Sequence, residues 1–311
     1  MQQRYVGNSG FRVSNLSLGT MSWLEETDEQ DARELLHTFV AAGGTTIDTA
    51  ASYAGGQAEA LLGSMIGDVV ARSEVVVSTK AGVSTSKGRR QVDASRGALL
   101  STLDASLARL GTDYVDIWFA NTWDGNVPLD ETLSALDLAL RTGRARYVGI
   151  SNYNGWQTAK AAAIAGFTIV ANQSEYSLLH RNAEEELVPA IEDAGLGLMA
   201  WAPLGRGVLS GKYRGQIPAD SRAAEGRLVP YVEKYLDARG SRVVEAVAMA
   251  ARGLGRSAVD VSLSWLLSRP AVSAAVVGAR NAVQLKELLD AQLTPLPSEI
   301  ARALEDVSLV A

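Results

Sequence analysis

The sequence predicts a closed (β/α)8 barrel, and three observations carry that expectation. Eight short apolar segments alternate with amphipathic helical patterns along the chain. Their spacing is fairly even, with no linker-like shift in composition. No G-x-G-x-x-G turn follows the first strand, where a doubly wound dinucleotide fold would place it. Length agrees: 311 residues exceed the ~250 typical of such a barrel, although they also admit two domains of ~150. The expectation is one α/β barrel domain over residues 1–311.

The strand candidates are Asn15–Leu18, Thr45–Asp48, Val75–Lys80, Tyr114–Ala120, Tyr147–Ser151, Thr168–Gln173, Gly197–Trp201 and Ala274–Gly278. They are rich in Val, Ile and aromatics, and several are continuously apolar, as strands covered on both faces are. Tyr5–Val13, with Gly7-Asn8-Ser9-Gly10 in its middle, reads as an N-terminal β-hairpin. The first helix, Thr27–Ala42, opens on a capping residue and acids and stops at Gly43-Gly44. Val92–Leu110 carries Leu99, Leu103 and Leu107 on one face and stops at Gly111. Pro128–Thr142 starts with proline in its first turn and stops at Gly143. Asn154–Ala165, Glu184–Ala194, Asp260–Leu267, Asn281–Asp290 and Ser298–Val307 complete the helical set. The long irregular stretch Gly205–Asp237 follows the seventh strand and reads as a mobile lid.

Composition removes several chemistries. The chain has no Cys, which excludes disulfides, thiolate metal sites, Fe–S clusters and a Cys nucleophile. Its two His, His37 and His180, lie far apart, so no H-E-x-x-H or three-His zinc site exists and no metal is expected. Lys+Arg 29 against Asp+Glu 35 gives a net charge of −6, without a basic cluster for nucleic acid. The N-terminus lacks the apolar core of a signal peptide, and no window approaches the ~20 apolar residues of a membrane helix. A cytoplasmic protein, without a membrane or nucleic-acid partner, is the expectation. Oligomeric state is not encoded in any readable heptad or exposed apolar stripe.

In a (β/α)8 TIM barrel, catalytic groups sit at the C-terminal strand ends. Asp48 ends the second strand, with Tyr53 just beyond it, and Lys80 ends the third. A phenol of pKa ~10 donates a proton poorly near neutrality unless its anion is stabilised. A nearby ammonium lowers that pKa, and a carboxylate keeps the ammonium charged. Tyr53 can then protonate a carbonyl oxygen as hydride reaches the carbon. Spacing alone is also compatible with a structural Asp–Lys pair and a loop tyrosine.

The chain resembles the aldo-keto reductases over essentially its full length. The resemblance rests on Leu18-Gly19-Thr20-Met21, Ile47-Asp48-Thr49-Ala50 with Tyr53, and Ser78-Thr79-Lys80. It continues through Val148-Gly149-Ile150-Ser151-Asn152-Tyr153, Asn172-Gln173-Ser174-Glu175-Tyr176-Ser177, the run Trp201 to Tyr213, and Val277-Gly278-Ala279-Arg280-Asn281 with Gln284 and Glu287. It implies a carbonyl reductase using NADP(H), with Asp48, Tyr53 and Lys80 catalytic. Ser151, Asn152 and Gln173 would hold the nicotinamide carboxamide, and Trp201 would stack on its ring; on its own Trp201 is equally a core aromatic. Pro203, Leu204, Gly205, Gly207, Gly211 and Lys212 would lie along the pyrophosphate. Arg280, with Asn281 and Gln284, would hold the adenosine 2′-phosphate, and Gly278 and Glu287 are further cofactor-binding candidates. Without the resemblance, Arg280 reads as a surface charge. Leu288 stands where the family usually has an adenine-binding Asn.

One departure bears on mechanism. The family's usual catalytic His at the end of the fourth strand is Asn121 here, followed by Thr122-Trp123-Asp124. An amide can orient a carbonyl but cannot transfer a proton near neutrality. The resemblance therefore implies either a reductase with Tyr53 as its proton donor, or a slow NADP(H)-binding sensor like the potassium-channel β subunits. An Asn introduced for His would look the same. Met21, Trp23, Trp118 and Trp123 are candidate substrate walls, beside Tyr53, Asn121, Thr122 and the Gly205–Asp237 stretch. Three tryptophans at a mouth suit a flat apolar or sugar-ring carbonyl. The end at Ala311 implies an open pocket without the long C-terminal loop of steroid-type members.

Overall fold

The computed structural model describes residues 1–86, 89–218, 221, 223–224 and 229–309. Eight parallel strands close into a barrel: β1 Leu16–Gly19, β2 Thr46–Asp48, β3 Val76–Ala81, β4 Val115–Ala120, β5 Ala145–Ser151, β6 Ile169–Glu175, β7 Gly197–Trp201 and β8 Val272–Val277. Neighbours follow chain order, and β8 closes on β1 through Ala275 opposite Leu16. Each expected strand is present, shifted by two residues at most. The helices are α1 Glu29–Ala41, α2 Gln57–Met65, α3 Arg96–Leu110, α4 Leu129–Arg141, α5 Gly155–Ile164, α6 Leu187–Ala194, α7 Val229–Glu233, α8 Ala238–Leu254, α9 Ala258–Leu267, α10 Ala282–Leu289 and α11 Ser298–Ser308.

Local chemistry sets the helix starts. The carboxylate of Asp28 accepts from Asp31 N at 2.8 Å and opens α1. Ser95 caps α3, so that helix begins later than Val92. Val92 instead ends a two-stranded hairpin, Val83–Ser86 with Arg89–Val92, which leaves the top of β3. Its leucines continue an apolar pattern, but the cap decides where the helix starts. α2 and α8 were not expected, and both pack on neighbouring helices. The Gly205–Asp237 stretch is not wholly irregular: it holds a 3₁₀ turn at Gly205–Ser210 and α7. Residues 219, 220, 222 and 225–228 of that expected lid, and the terminal residues 310–311, lie outside the described residues.

Two apolar layers hold the barrel. The larger lies between strands and helices. The smaller fills the barrel interior with Ile117, Phe119, Ala171, Met199 and Ala274, and joins Val6, Phe11 and Val13 of the N-terminal segment. The hairpin Gln3–Tyr5 with Arg12–Ser14 brings Phe11 against Tyr147 near the start of β5, ring centroids 4.4 Å apart. It therefore plugs the N-terminal end and leaves the C-terminal end open. Gly149 makes room for the interior Phe119: an added Cβ would sit 2.4 Å from that ring.

A buried acid sits just under the open end. Glu59 of α2 is fully buried. It accepts from Arg109 Nε at 2.8 Å and Nη2 at 2.6 Å, and from the hydroxyl of Thr79, next to Lys80. Removing one partner of such a pair strands a buried charge, at about 3–5 kcal/mol. Arg109→Ala is expected to destabilise by about that amount, and Glu59→Gln/Arg109→Met by clearly less, in urea unfolding. Equal losses would show that the pair acts through packing alone.

Candidate active site

Strand register brings the functional side chains together. Asp48 pairs with Ser78 across β2 and β3. Ser78 and Lys80, two residues apart on β3, share one face of the strand. Both therefore reach the Asp48 carboxylate: Ser78 Oγ donates to Oδ1 at 2.6 Å and Lys80 Nζ to Oδ2 at 2.7 Å. Lys80 also donates to the Thr49 carbonyl at 2.8 Å. Gln173 Nε2, from β6, donates to Asp48 Oδ1 at 2.8 Å. Asp48 and Lys80 side chains are each 2% exposed.

Tyr53 follows β2 in a tight turn through Ala54, Gly55 and Gly56, all with positive φ. Its ring centroid lies 5.2 Å from Lys80 Nζ. Burial pushes its phenol above the ordinary value; Lys80 pulls it down, Asp48 pushes it up, and the net shift is upward. This corrects the expectation that the ammonium would set a lowered pKa: desolvation outweighs it. Burial opposes charge on Lys80, but Asp48 and then Tyr53 offset this, and its pKa is raised.

These residues floor a cavity of about 800 Å³ at the open end. Asn121 joins them at the end of β4. Its backbone N–H donates to Ala81 O at 2.9 Å and its carbonyl accepts from Asn152 Nδ2 at 2.9 Å. Among the described residues its side-chain amide makes no hydrogen bond, so it is open to a ligand. Met21 lines the cavity, but the three tryptophans expected beside it do not. Trp23 and Trp118 are fully buried in the core. Trp123 packs edge-on against Tyr153 and Trp156 instead, at 5.4 and 5.1 Å. Their composition marks them as aromatic but gives no direction, and core burial takes them. Neither His180 nor His37 lines the cavity.

Ser151, Asn152, Gln173 and Trp201 line the far wall. Trp201 Nε1 donates to Asn152 Oδ1 at 3.1 Å, and Asn152 Nδ2 donates to Ser151 Oγ at 3.1 Å. Ser151 Oγ donates to Gln173 O at 2.8 Å. Asn152, Ala202 and Arg206 hold left-handed φ of 58°, 49° and 58°, backbone strain gathered at one mouth.

Pro203, Leu204, Gly207, Lys212, Gly278, Arg280, Gln284 and Glu287 extend the cavity from the β7 and β8 ends. Gly205 and Gly211 do not line it. They serve the backbone, at φ 54° and 82°. Asn281 caps α10 through Gln284 N at 3.1 Å, and the Gln284 amide accepts from Arg280 N at 3.1 Å. Sequence reasoning placed Arg206 only within the Gly205–Asp237 stretch and did not single it out, yet it lines the cavity. Its guanidinium lies 5.2 Å from the Trp201 ring and 5.0 Å from Tyr231, and 3.5 Å from Glu175. It also missed Arg90, Val83 and Ser52 on the opposite side. Arg90 was hidden because it falls in the connection between the expected strand Val75–Lys80 and the expected helix Val92–Leu110, which carried no strand signal.

The raised values of Tyr53 and Lys80 fix a sign. The folded state holds both protons more tightly than the unfolded chain, so their contribution is full below about pH 10 and is lost as pH rises through the raised values. Comparing wild type with Tyr53→Phe isolates one group, since other tyrosines cancel. Wild type is expected to lose stability relative to the variant above about pH 10 in thermal melts. A constant difference from pH 8 to 11 would contradict the raised phenol.

The model of the aldo/keto reductase family matches residues 15–308. The chain is 33% identical to "Uncharacterized oxidoreductase YrpG" of Bacillus subtilis (strain 168), over 99% of this chain and 96% of that protein. It is 35% identical to L-glyceraldehyde 3-phosphate reductase of Escherichia coli (strain K12), over 97% and 91% respectively. It is also 35% identical to a probable voltage-gated potassium channel subunit beta of Oryza sativa subsp. japonica, over 94% and 91%. With its closed eight-stranded barrel and a family match over nearly its whole length, the chain belongs to the aldo/keto reductase family.

Proposed function

We propose that this protein is an NADP(H)-dependent oxidoreductase that reduces an aldehyde or ketone to an alcohol, with Tyr53 as proton donor. The observation that carries the reading is the buried Asp48–Lys80 pair beside Tyr53 at the cavity floor, with the open amide of Asn121 next to it.

The cavity chemistry fits the cofactor. Gln173 spends Nε2 on Asp48, and Asn152 spends both Nδ2 hydrogens on Asn121 and Ser151. Acceptor capacity remains on Ser151 Oγ, Asn152 Oδ1 and Gln173 Oε1, which suits the NH₂ of a carboxamide. Trp201, tethered through Nε1, offers a ring face for stacking. Lys212 and Arg280 would hold the phosphates, and Gly207, at φ 92°, lets backbone approach them. When bound there, a nicotinamide would supply the hydride that the carbonyl carbon receives.

The chain's own residues then handle the oxygen. Asn121 donates a hydrogen bond that orients and polarises the carbonyl. Tyr53 passes its proton to the oxygen as negative charge develops there. Lys80, charged through Asp48, steadies the phenolate that remains. Ser78 and Gln173 hold Asp48 in place by donating to it.

A second reading is a slow NADP(H)-binding sensor. It is supported by Asn121 standing where a stronger acid would act, and by the likeness to a probable channel subunit beta. Oxidation of NADPH with a panel of aldehydes and ketones separates the two. Turnover is expected, and Tyr53→Phe should lower kcat by about 10³-fold while NADPH affinity stays within about twofold. Tight NADPH binding with no turnover across the panel would favour the sensor. Fluorescence quenching should show NADPH bound more tightly than NADH, a preference that Arg280→Ala removes. Equal affinities in wild type would take the 2′-phosphate away from Arg280.

A further inference from the structure

We infer that Arg90 forms an anion-recognition point on the substrate side of the cavity, and that the physiological substrate is a small carbonyl compound bearing a phosphate or carboxylate. This rests on the reductase reading above and adds a substrate class to it.

The cavity lining is cationic although the chain as a whole carries −6. Lys80, Arg90, Arg206, Lys212 and Arg280 face two carboxylates, Asp48 and Glu287. Most of these cations have other duties. Lys80 is committed to Asp48 at 2.7 Å. Arg206 is held by Glu175 and stacked on Trp201 and Tyr231. Lys212 and Arg280 follow β7 and β8, on the side where the cofactor phosphates would lie. Arg90 is different. It is exposed, it lines the cavity, and it makes no ion pair or hydrogen bond through its side chain among the described residues.

Its place in the topology separates it from the cofactor phosphates. In the closed order of eight strands, β3 lies four strands from β7, across the barrel. Arg90 sits on the hairpin that leaves β3, opposite Thr85, and Val83 of the same hairpin also lines the cavity. The carboxamide set occupies β5 to β7, and Tyr53, Lys80 and Asn121 follow β2, β3 and β4. Val83 and Arg90 line the same cavity as Tyr53 and Asn121, so the remaining chain of a carbonyl placed there can extend toward the β3 hairpin. A guanidinium there binds a phosphate or carboxylate through a two-pronged contact that a neutral substrate cannot make.

The test uses the full-length protein with NADPH and three aldehydes of equal chain length: one neutral, one with a terminal carboxylate, one with a terminal phosphate. Wild type is expected to show kcat/KM at least tenfold higher for one or both anions than for the neutral compound. Arg90→Ala should cut that preference at least tenfold, chiefly through KM, with Arg90→Lys in between and Arg90→Glu reversing it. Raised salt should narrow the preference in wild type. No anion preference in wild type, or a preference that Arg90→Ala leaves intact, overturns the inference. If no aldehyde is turned over, calorimetric binding of the same compounds to the NADPH-treated protein decides. Arg90-dependent binding of the anions upholds anion recognition while the reductase reading falls, and equal binding by wild type and Arg90→Ala defeats it.

Discussion

The buried ion pair between Asp48 and Lys80 is the constraint on which the rest of this structure depends. Both side chains are 2% exposed, and burying an ion costs several kcal/mol unless it is paired and hydrogen-bonded. Here the cost is offset by a dense set of partners. Asp48 accepts from Lys80, Ser78 and Gln173, and Lys80 also reaches the Thr49 carbonyl. These groups come from β2, β3 and β6, so the pair ties one wall of the barrel to the other. It also links the cavity's two halves: Gln173 lines the wall proposed for the cofactor, Asp48 and Lys80 the floor proposed for catalysis.

A parallel barrel supplies that arrangement through direction alone. All eight strands point the same way, so every strand end delivers its last residues to one rim. The opposite rim is stoppered by the N-terminal hairpin, with Phe11 on Tyr147 and Val6 and Val13 in the interior layer. The site can therefore concentrate polar and charged groups above an apolar plug. The same logic explains Glu59: α2 carries a buried carboxylate beside Thr79, with Arg109 of α3 as its counter-ion. That second pair backs the strand from which Lys80 projects.

Much of this was legible in the sequence. Eight apolar runs marked the strands, because short runs rich in Val and Ile mark strands covered on both faces, and glycine stops marked several helix ends. Asp48, Tyr53, Lys80 and Asn121 were legible because their chain positions relative to strand ends are fixed by the fold. Side-chain direction was not. Trp23 and Trp118 sit near strand ends in sequence yet face the core, and Trp123 turns to Tyr153 and Trp156. The hairpin at Val83–Ser86 and Arg89–Val92 was hidden because Val92 extends the leucine pattern of α3, and the Ser95 cap is a local signal that the pattern obscures. Helices α2 and α8 also escaped notice. α2 is short and includes a glycine, and its stability comes from packing more than propensity.

The upward shift of Tyr53 fits the role of acid proposed for it. A group that must donate a proton has to hold it beforehand, and a raised pKa keeps the phenol protonated across the neutral range. Desolvation supplies that hold. Lys80 acts in the other direction, and its influence matters most when charge is leaving the phenol, because an ammonium stabilises phenolate and not phenol. Resting state and transition state are thus served by different forces in one cluster. The reverse reaction needs the phenolate first, which burial makes scarce near neutrality. On the proposed reading, a phenol held protonated by burial suits Tyr53 to give its proton to a carbonyl oxygen, and Lys80 steadies the charge left behind.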